Sequence, residues 1–394
     1  MARQLKDVIR TAIPTTQTGR YPRPVWYNYD INDRSWVEMC NRVDFLESYS
    51  DAVQTVITDH EICGLDIMTD GCLRYDPRGT TIAPWDTNGL AYMGGARRVP
   101  KKPEGNPIAA SAIGEENLRA FGKLTGLSGD PANPWFWWIF EATPTVGNLE
   151  LWLETFKVAK KFSRKPLKFS GPSAAMAALH AVNSTGLDDR DVYFELFRVQ
   201  NKVLKEIVDA GCEIIQLDYP FGMAHWSAQF TEIKPEAWST LIDAFNEEVR
   251  GVDAHIWIHF CFGAPILYGP NAMPMKWHMA GVYPHIADCK ADCIQSEAAN
   301  TRGEYLDKEL EAWKEYLSDR DYAVGAVTPY NGTETSQDVD KILENALRYV
   351  PAEKLALTSD EGLAGNGFMT RRGAMHKMRM LSEAAAKARK NLNM

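Results

Sequence analysis

Apolar positions recur along this chain with two different periods, and segments of the two kinds alternate. Short segments rich in β-branched and aromatic residues are typical of strands, and they cover 12–18, 62–69, 166–170, 213–218, 255–260, 292–297, 322–327 and 354–358. Longer segments with an apolar residue every three or four positions are typical of amphipathic helices, and they cover 149–161, 189–210, 234–250, 304–318, 336–349 and 370–386. Because strands alternate with helices, the pattern predicts an α/β fold, a single (β/α)8 TIM barrel over residues 1–394.

Two segments are longer than such a barrel requires. Residues 76–145, after the second predicted strand, are rich in Gly, Pro and Asn and show no regular period. We interpret them as an insertion over the barrel mouth, with a lid and an oligomer contact as the two alternatives. A second excess covers 264–283, after the fifth predicted strand.

Charge and cysteine content narrow the class of protein. The net charge of −9 argues against a nucleic-acid partner. No apolar run is long enough to cross a bilayer and the N-terminal segment is mixed polar, so we expect a cytoplasmic protein without a membrane partner. Seven scattered cysteines, an odd number, predict reduced thiols rather than a disulfide framework. The sequence is compatible with a homo-oligomer.

The fifth predicted strand ends in His259-Phe-Cys261, which is the most informative motif of the chain. Residues two apart on a strand point to the same face, so His259 and Cys261 offer a nitrogen and a sulfur ligand for a zinc ion (Zn²⁺). The alternative is a buried histidine and a buried cysteine, both common in cores.

Other strand ends carry carboxylates that a barrel would bring to the same rim. They are Asp218, Glu297 and the pair Asp360-Glu361. Zinc takes four ligands, or three and an open position, so Glu297 is a third candidate ligand and Glu361 or Asp360 a fourth. Each carboxylate alone is more often a helix cap or a salt-bridge residue than a metal ligand.

Several short motifs in a fixed order resemble the catalytic half of cobalamin-independent methionine synthase and its single-barrel relatives, which include epoxyalkane–coenzyme M transferase. The motifs lie at 15–24, 64–71, 170–172, 215–218, 259–261, 296–297 and 352–363. The resemblance implies a zinc-dependent transferase that holds an acceptor thiol as a zinc-bound thiolate. It further implies that His259, Cys261 and Glu297 are ligands and that Asp218 binds substrate; a buried carboxylate that orients a loop is the alternative for Asp218.

Two departures from the family pattern concern the metal and the acceptor. Glu361 stands where the family has its last cysteine ligand, which predicts either a harder N/S/O/O site or three protein ligands. Cys72, in Asp70-Gly-Cys72, stands where the family has a carboxylate that helps to bind the amino group of homocysteine. Cys72 is a candidate substrate-binding or reactive thiol, with an inert core thiol as the alternative.

Two further departures concern charge and proton transfer. Arg20 replaces a serine of the family, and with Arg74 it is a candidate partner for an anionic substrate group, although a solvated surface arginine is as common. Tyr330 lies near the position of the family's proton-donating histidine. A phenol with a reference pKa of about 10 is a weaker acid than imidazolium, which argues against a methyl-folate donor.

Together these residues predict a zinc-dependent alkyl or methyl transferase that acts on a small, anionic thiol, with a coenzyme M-type thiol as one candidate. Methionine-synthase-type methyl transfer to homocysteine is the first alternative. A metal-dependent lyase or decarboxylase, in which Arg20, Arg74 and Asp218 carry the chemistry, is the second. A non-enzymatic metal- or ligand-binding protein is a third possibility.

Overall fold

The structure is a computed structural model. It describes residues 3–27, 40–74, 93–99, 102–118, 137–219, 234–260, 278–329, 334–364 and 369–394. Two predicted site residues, Cys261 and Tyr330, lie outside these residues, as does most of the second excess segment.

A parallel sheet of six strands forms the centre of the fold. In the order in which they lie side by side, its strands are β3 (Lys168–Pro172), β5 (Ile214–Asp218), β6 (His255–His259), β7 (Cys293–Glu297), β8 (Asp321–Val327) and β9 (Leu355–Ser359). Every residue of these strands is buried, as expected for a parallel sheet that is covered on both faces.

Helices follow the strands along the chain and cover the sheet. The described helices are α1 (Leu5–Val8), α2 (Val43–Ile62), α3 (Ala110–Ile113), α4 (Leu149–Phe162), α5 (Ala174–Ala178), α6 (Asp189–Asp209), α7 (Pro235–Glu248), α8 (Leu306–Tyr316), α9 (Ser336–Ala346) and α10 (Arg371–Asn391). The alternation confirms the predicted α/β class. Within the described ranges, no helix is long and apolar enough to span a membrane.

The first two predicted strands are present only as extended segments that make isolated bridges, two in the first segment and one in the second. Thr15 pairs with Leu357 of β9, and Met68 pairs with Leu167, just before β3. The two segments also contact each other, since the Ile67 N–H donates to the Thr15 oxygen at 3.0 Å. The predicted start of the second strand at residue 62 is wrong, because α2 continues to Ile62.

Residues 76–145 contain regular structure that their composition did not predict. The strands β1 (Met93–Val99) and β2 (Trp137–Val146) pair antiparallel, and β2 pairs in parallel with β4 (Ala181–Asn183). The expectation of an irregular segment is therefore wrong for these strands. The paired strands β1 and β2 lie about forty residues apart in sequence, and pairing between such distant segments leaves little signal in the local spacing of apolar residues. The location of the segment over the barrel mouth stays a prediction.

Inward-facing residues at the N-terminal ends of the sheet strands form a separate apolar cluster. It contains Ile214, Trp257 and Cys293 from the strands and Leu5 from α1. The Leu5 N–H also donates to the Asp321 carboxylate at 2.5 Å, which fixes α1 beneath the strands. Because this end is covered, the C-terminal strand ends are the place for a site, as is usual in α/β folds.

Candidate functional site

Asp218 and His259 end two neighbouring strands and are register partners. The Nδ1 atom of His259 contacts Oδ1 of Asp218, and both side chains are almost fully buried. The same carboxylate oxygen accepts a hydrogen bond of 3.2 Å from Nε2 of Gln216, one inward position below on β5. The two predicted site residues therefore form a buried carboxylate–imidazole pair.

The second ring nitrogen of His259 faces an oxygen rather than a donor. Its Nε2 lies 2.9 Å from the main-chain oxygen of Asp360. If Nδ1 carries the proton that Asp218 accepts, Nε2 carries a lone pair directed at another acceptor. Two acceptors at this distance require a shared proton or a cation, and a carboxylate–histidine pair of this kind is the usual support for a metal-ligating histidine.

Glu297 and Glu361 meet at the same strand ends. Glu297 is buried, shares a side-chain hydrogen bond with Glu361 and accepts another, of 2.7 Å, from Nδ2 of Asn300. Burial and the neighbouring Glu361 and Asp360 carboxyls raise the pKa of Glu297 well above its usual range. A divalent cation at this place would remove the need for a proton between the two glutamates.

The Asp360 carboxylate binds main-chain N–H groups, whereas the sequence offered it as an alternative zinc ligand. Its carboxylate accepts the N–H groups of Ala298, Ala299 and Asn300 at 2.6–3.1 Å. These bonds occupy both of its oxygens and fix the turn that follows Glu297. Asp360 therefore acts as a clamp for this turn, which favours Glu361 over Asp360 as a ligand.

The donor set fits zinc in its chemistry. The described residues bring a histidine nitrogen and two glutamates to one end of the sheet, although no three of their His, Cys, Asp or Glu side chains are arranged to enclose a metal. Cys261, the predicted sulfur ligand, lies two residues after His259 and outside the described residues. The nitrogen and the carboxylates are ligands that zinc takes in proteins.

Cys72 lies in a strained and buried turn. Its φ is +50°, it follows Gly71 with φ +67°, and its N–H donates to Oδ1 of Asp70 at 2.8 Å. The thiol is directed toward the main-chain oxygen of Ser170 at 3.6 Å. Burial, with Asp70 as the next cause, raises the pKa of Cys72 to about 12. This environment favours the inert thiol over the reactive one.

Arg74 is buried within the structure rather than presented at the mouth. Its guanidinium pairs with Asp70, donates to the main-chain oxygen of Ser170 and lies 4.5 Å from the Phe169 ring centroid. Only 1% of the residue is exposed. The arrangement favours a structural role, and we leave Arg74 out of the substrate contacts proposed below.

Arg20 lines a cavity of about 760 Å³ beside the predicted metal site. The lining residues are Arg20, Tyr21, Pro22, Arg23, Pro24, Val25, Trp26, Cys72, Leu73, Ala364, Met369, Thr370, Arg371, Arg372 and Met375. Among the described residues that line the cavity, four are arginines. Arg371 is paired with Asp59. The Arg20 main chain runs against Gly362, where an added Cβ would lie 2.6 Å from the Arg20 nitrogen, so the cavity adjoins Glu361.

Two buried polar residues of the central sheet, Lys168 and Gln216, were not among the predicted site residues. Lys168, at the start of β3, donates from Nζ to Oε1 of Gln216 at 2.6 Å, and Gln216 in turn contacts Asp218. The available signal was the alternation itself, since Gln216 and Asp218 are two apart on one strand and must share a face.

Comparison with known proteins gives consistent matches over most of the chain. Residues 149–385 match the family model described as the catalytic domain of cobalamin-independent synthase. A methionine synthase from Saccharolobus solfataricus is 27% identical over 386 residues, which cover 96% of this chain and 96% of that protein.

Two solved structures resemble the fold. A B12-independent methionine synthase from Shewanella sp. W3-18-1, in complex with selenomethionine, superposes with a TM-score of 0.72 at 19% identity and covers 97% of this chain and 99% of that one. A methyltransferase from Methanosarcina mazei superposes with a TM-score of 0.50 at 12% identity, over 95% of each chain. At these identities the likeness concerns the fold alone.

Proposed function

Because the chain belongs to the cobalamin-independent synthase catalytic-domain family, we propose that it transfers a methyl group to the sulfur of a small thiol and that zinc assists the transfer. The observation that carries the proposal is the orientation of His259. Its Nδ1 is held by Asp218, and its Nε2 faces an oxygen 2.9 Å away at the end of the strand. Because a carboxylate on one ring nitrogen is the usual support for a metal-ligating histidine, Nε2 is the nitrogen that would bind the ion.

The proposal includes closure of the sheet into an eight-stranded barrel. The segments around Thr15 and Met68 take the places of strands one and two. The bridges of Thr15 to Leu357 and of Met68 to Leu167, with the hydrogen bond between the two segments, support this arrangement. A closed barrel brings the ends of β5, β6, β7 and β9 around one mouth.

His259, Glu297, Glu361 and Cys261 are the residues that would hold the zinc ion. A bound zinc ion lowers the pKa of a coordinated thiol, so that the nucleophilic thiolate exists at neutral pH. Asp218 orients His259, and Asn300 holds one oxygen of Glu297. In the transfer, a sulfur–carbon bond forms while the bond from the methyl carbon to its donor breaks. Tyr330 stays the proposed acid for the donor side.

The identity of the acceptor has two candidates, and the comparisons favour homocysteine. The Saccharolobus relative aligned over 96% of both chains is a methionine synthase. A different anionic thiol, such as a coenzyme M-type thiol, is favoured by a specific observation: Cys72 replaces a carboxylate suited to an amino group, and Arg20 lines a cavity together with three other arginines. The alternative function, a metal-dependent lyase or decarboxylase, gains no support from the site or from these relatives.

The test separates metal binding, thiol activation and choice of acceptor. The protein is purified without added metal and its zinc content is measured by elemental analysis. Zinc-loaded protein is then given methyl iodide, a simple methyl source, with homocysteine, cysteine or 2-mercaptoethanesulfonate, and the methyl thioether is quantified by mass spectrometry. We expect about one zinc per chain and methylation of one thiol well above the rate with zinc-free protein.

Two variants control for nonspecific effects. His259→Ala should lose the zinc and the rate enhancement. His285→Ala should keep both, because His285 is stacked on Trp238 at 4.5 Å and contributes nothing to the strand ends. If wild-type protein binds no zinc, or accelerates no thiol, the proposal is wrong. A preference for the sulfonated thiol over homocysteine would reverse the order of the two acceptors.

A further inference from the structure

Asn300 lies in the turn after strand β7, three residues beyond the candidate ligand Glu297, and it is fixed from two sides. Its main-chain N–H donates to Oδ2 of Asp360 at 2.6 Å. Its side-chain oxygen, Oδ1, accepts the hydroxyl of Thr328 at 2.6 Å, from the segment that follows β8. Contacts from the ends of β8 and β9 therefore hold both the main chain and the side chain of Asn300.

Thr328 is itself held by residues outside the candidate metal site. It is buried, and its N–H donates to Oε1 of Glu334 at 2.5 Å. The other carboxylate oxygen of Glu334 pairs with the ammonium group of Lys377, which belongs to α10. The hydroxyl that reaches Asn300 is thus anchored to the body of the fold, and protein contacts set its place.

The amide nitrogen of Asn300 is directed at the Glu297 carboxylate. Its Nδ2 donates to Oε2 of Glu297 at 2.7 Å, while Oδ1 of the same amide faces Thr328. An amide donor is uncharged, so this hydrogen bond orients the carboxylate without neutralising it, as a lysine or an arginine in the same place would. The negative charge of Glu297 is therefore left to be balanced by a cation.

From these contacts we infer that Asn300 is a positioning residue of the metal site. It fixes the direction of the Glu297 carboxylate, and Thr328 fixes Asn300 in turn. Loss of a hydrogen-bond partner of a metal-ligating side chain typically costs about 10–100-fold in metal affinity or activity. The inference rests on the part of the proposed function in which Glu297 binds zinc, and it requires neither the methyl donor nor the acceptor thiol.

Three variants and one matched control test the inference. Asn300→Leu removes the amide at similar size, Thr328→Val removes only the hydroxyl, and Thr328→Ser keeps it. Thr301→Val is the control, because the Thr301 hydroxyl lies in the same turn and donates to the main-chain oxygen of Ala298 at 3.2 Å. Asn300→Leu is also combined with Glu297→Ala, so that its effect is measured with and without the carboxylate.

The metal site is measured in two ways that do not depend on turnover. Competition with a chromophoric chelator gives the zinc dissociation constant of each protein. The visible absorption bands of protein loaded with cobalt(II) in place of zinc report the number and the arrangement of the ligands. The thermal midpoint of the metal-free protein is recorded in parallel, because it reports a loss of stability that is independent of the metal.

We expect Asn300→Leu to raise the zinc dissociation constant about tenfold or more and to change the cobalt bands. Thr328→Val should raise the constant about fivefold, because it removes one neutral hydrogen bond that holds the amide. Thr328→Ser should restore the wild-type constant, and Thr301→Val should leave it unchanged. In the Glu297→Ala background, Asn300→Leu should cause no further loss of affinity, since the group on which it acts is gone.

A purely structural asparagine predicts a different result. The thermal midpoint of Asn300→Leu would then fall while its zinc affinity and cobalt bands stayed those of wild type, and the inference would be overturned. An equal loss of affinity from Asn300→Leu with and without Glu297 would overturn it as well. If wild-type protein binds zinc but methylates no thiol, the proposed function alone fails, and the affinities still decide the role of Asn300. Wild-type protein that binds no zinc overturns both.

Discussion

Buried Lys168 should make the stability of the protein depend on pH in the alkaline range. Burial lowers the pKa of Lys168 from 10.5 to about 7, partly offset by the negative charge of Asp218. Between these two values the unfolded chain holds a proton that the native protein has released, so stability rises as the pH rises from about 7 to 10.5. Below pH 7 the native protein carries the full cost of a buried ammonium group, about 5 kcal/mol on this difference in pKa.

Replacing Lys168 by methionine removes this cost together with the contacts of the ammonium group. The lost contacts are the hydrogen bond to Gln216 and the interaction with the Trp257 ring. Their loss costs about 3–4 kcal/mol of stability, which includes the cost of leaving the buried Gln216 amide oxygen without its donor. Lys168→Met should therefore be more stable than wild type by about 1–2 kcal/mol at pH 6. Its advantage should shrink by about 4 kcal/mol between pH 7 and pH 10 and reverse in sign.

Urea unfolding of metal-free protein at pH 6, 8 and 10 measures these differences. Because the variant and wild type share all other titrating groups, their difference isolates Lys168. Lys165→Met is the control: the Lys165 ammonium group contacts the main-chain oxygen of Leu65 outside the central sheet, and its difference from wild type should be flat. A flat difference for Lys168→Met as well would refute the reasoning, because it would mean that the buried amine titrates as it does in the unfolded chain.

Three further predictions concern Glu248, Cys72 and Glu361. Burial raises the pKa of Glu248 from 4.5 to about 8, so between these pH values the folded protein holds a proton that the unfolded chain has released. The free energy of unfolding should therefore fall by about 5 kcal/mol as the pH rises through this range, relative to Glu248→Gln in urea titrations. Cys72 should resist iodoacetamide in folded protein at pH 8 while exposed Cys40 reacts, and peptide mass spectrometry that found Cys72 modified first would contradict its inert environment. Glu361→Cys should tighten zinc binding at least tenfold and Glu361→Gln should weaken it, whereas equal chelator-competition constants would exclude Glu361 as a ligand.

The strands of the sheet were predictable because their sequence signals are local. The predicted segment 213–218 differs by one residue from β5 (Ile214–Asp218), and 255–260 differs by one from β6 (His255–His259). The pairing of β1 with β2 was not predictable, because the two strands are far apart in sequence and each is partly exposed.

The site was predictable to the extent that it depends on strand ends. Asp218 and His259 both end strands, and the structure makes them register partners. The clamp formed by Asp360 depends on the path of the turn at 298–300, and the hydrogen bond from Lys168 to Gln216 depends on side-chain reach from β3 to β5. Neither is encoded in a motif, because each is a tertiary contact between residues at least 48 positions apart.

Strand β6 carries two histidine–carboxylate pairs, which differ in what the second ring nitrogen meets. His255, at the lower end, bonds through Nε2 to Asp321 at 2.9 Å and accepts the Trp257 indole N–H on Nδ1 at 2.8 Å. Both nitrogens of His255 thus have complementary partners, and the pair is closed. His259 has a carboxylate on one nitrogen and a carbonyl oxygen on the other. A ring with a proton on both nitrogens would satisfy these two acceptors, and a cation on Nε2 is the alternative. A buried histidine–aspartate pair alone is therefore no sign of function; what distinguishes His259 is its place at the strand ends, where Glu297 and Glu361 also lie.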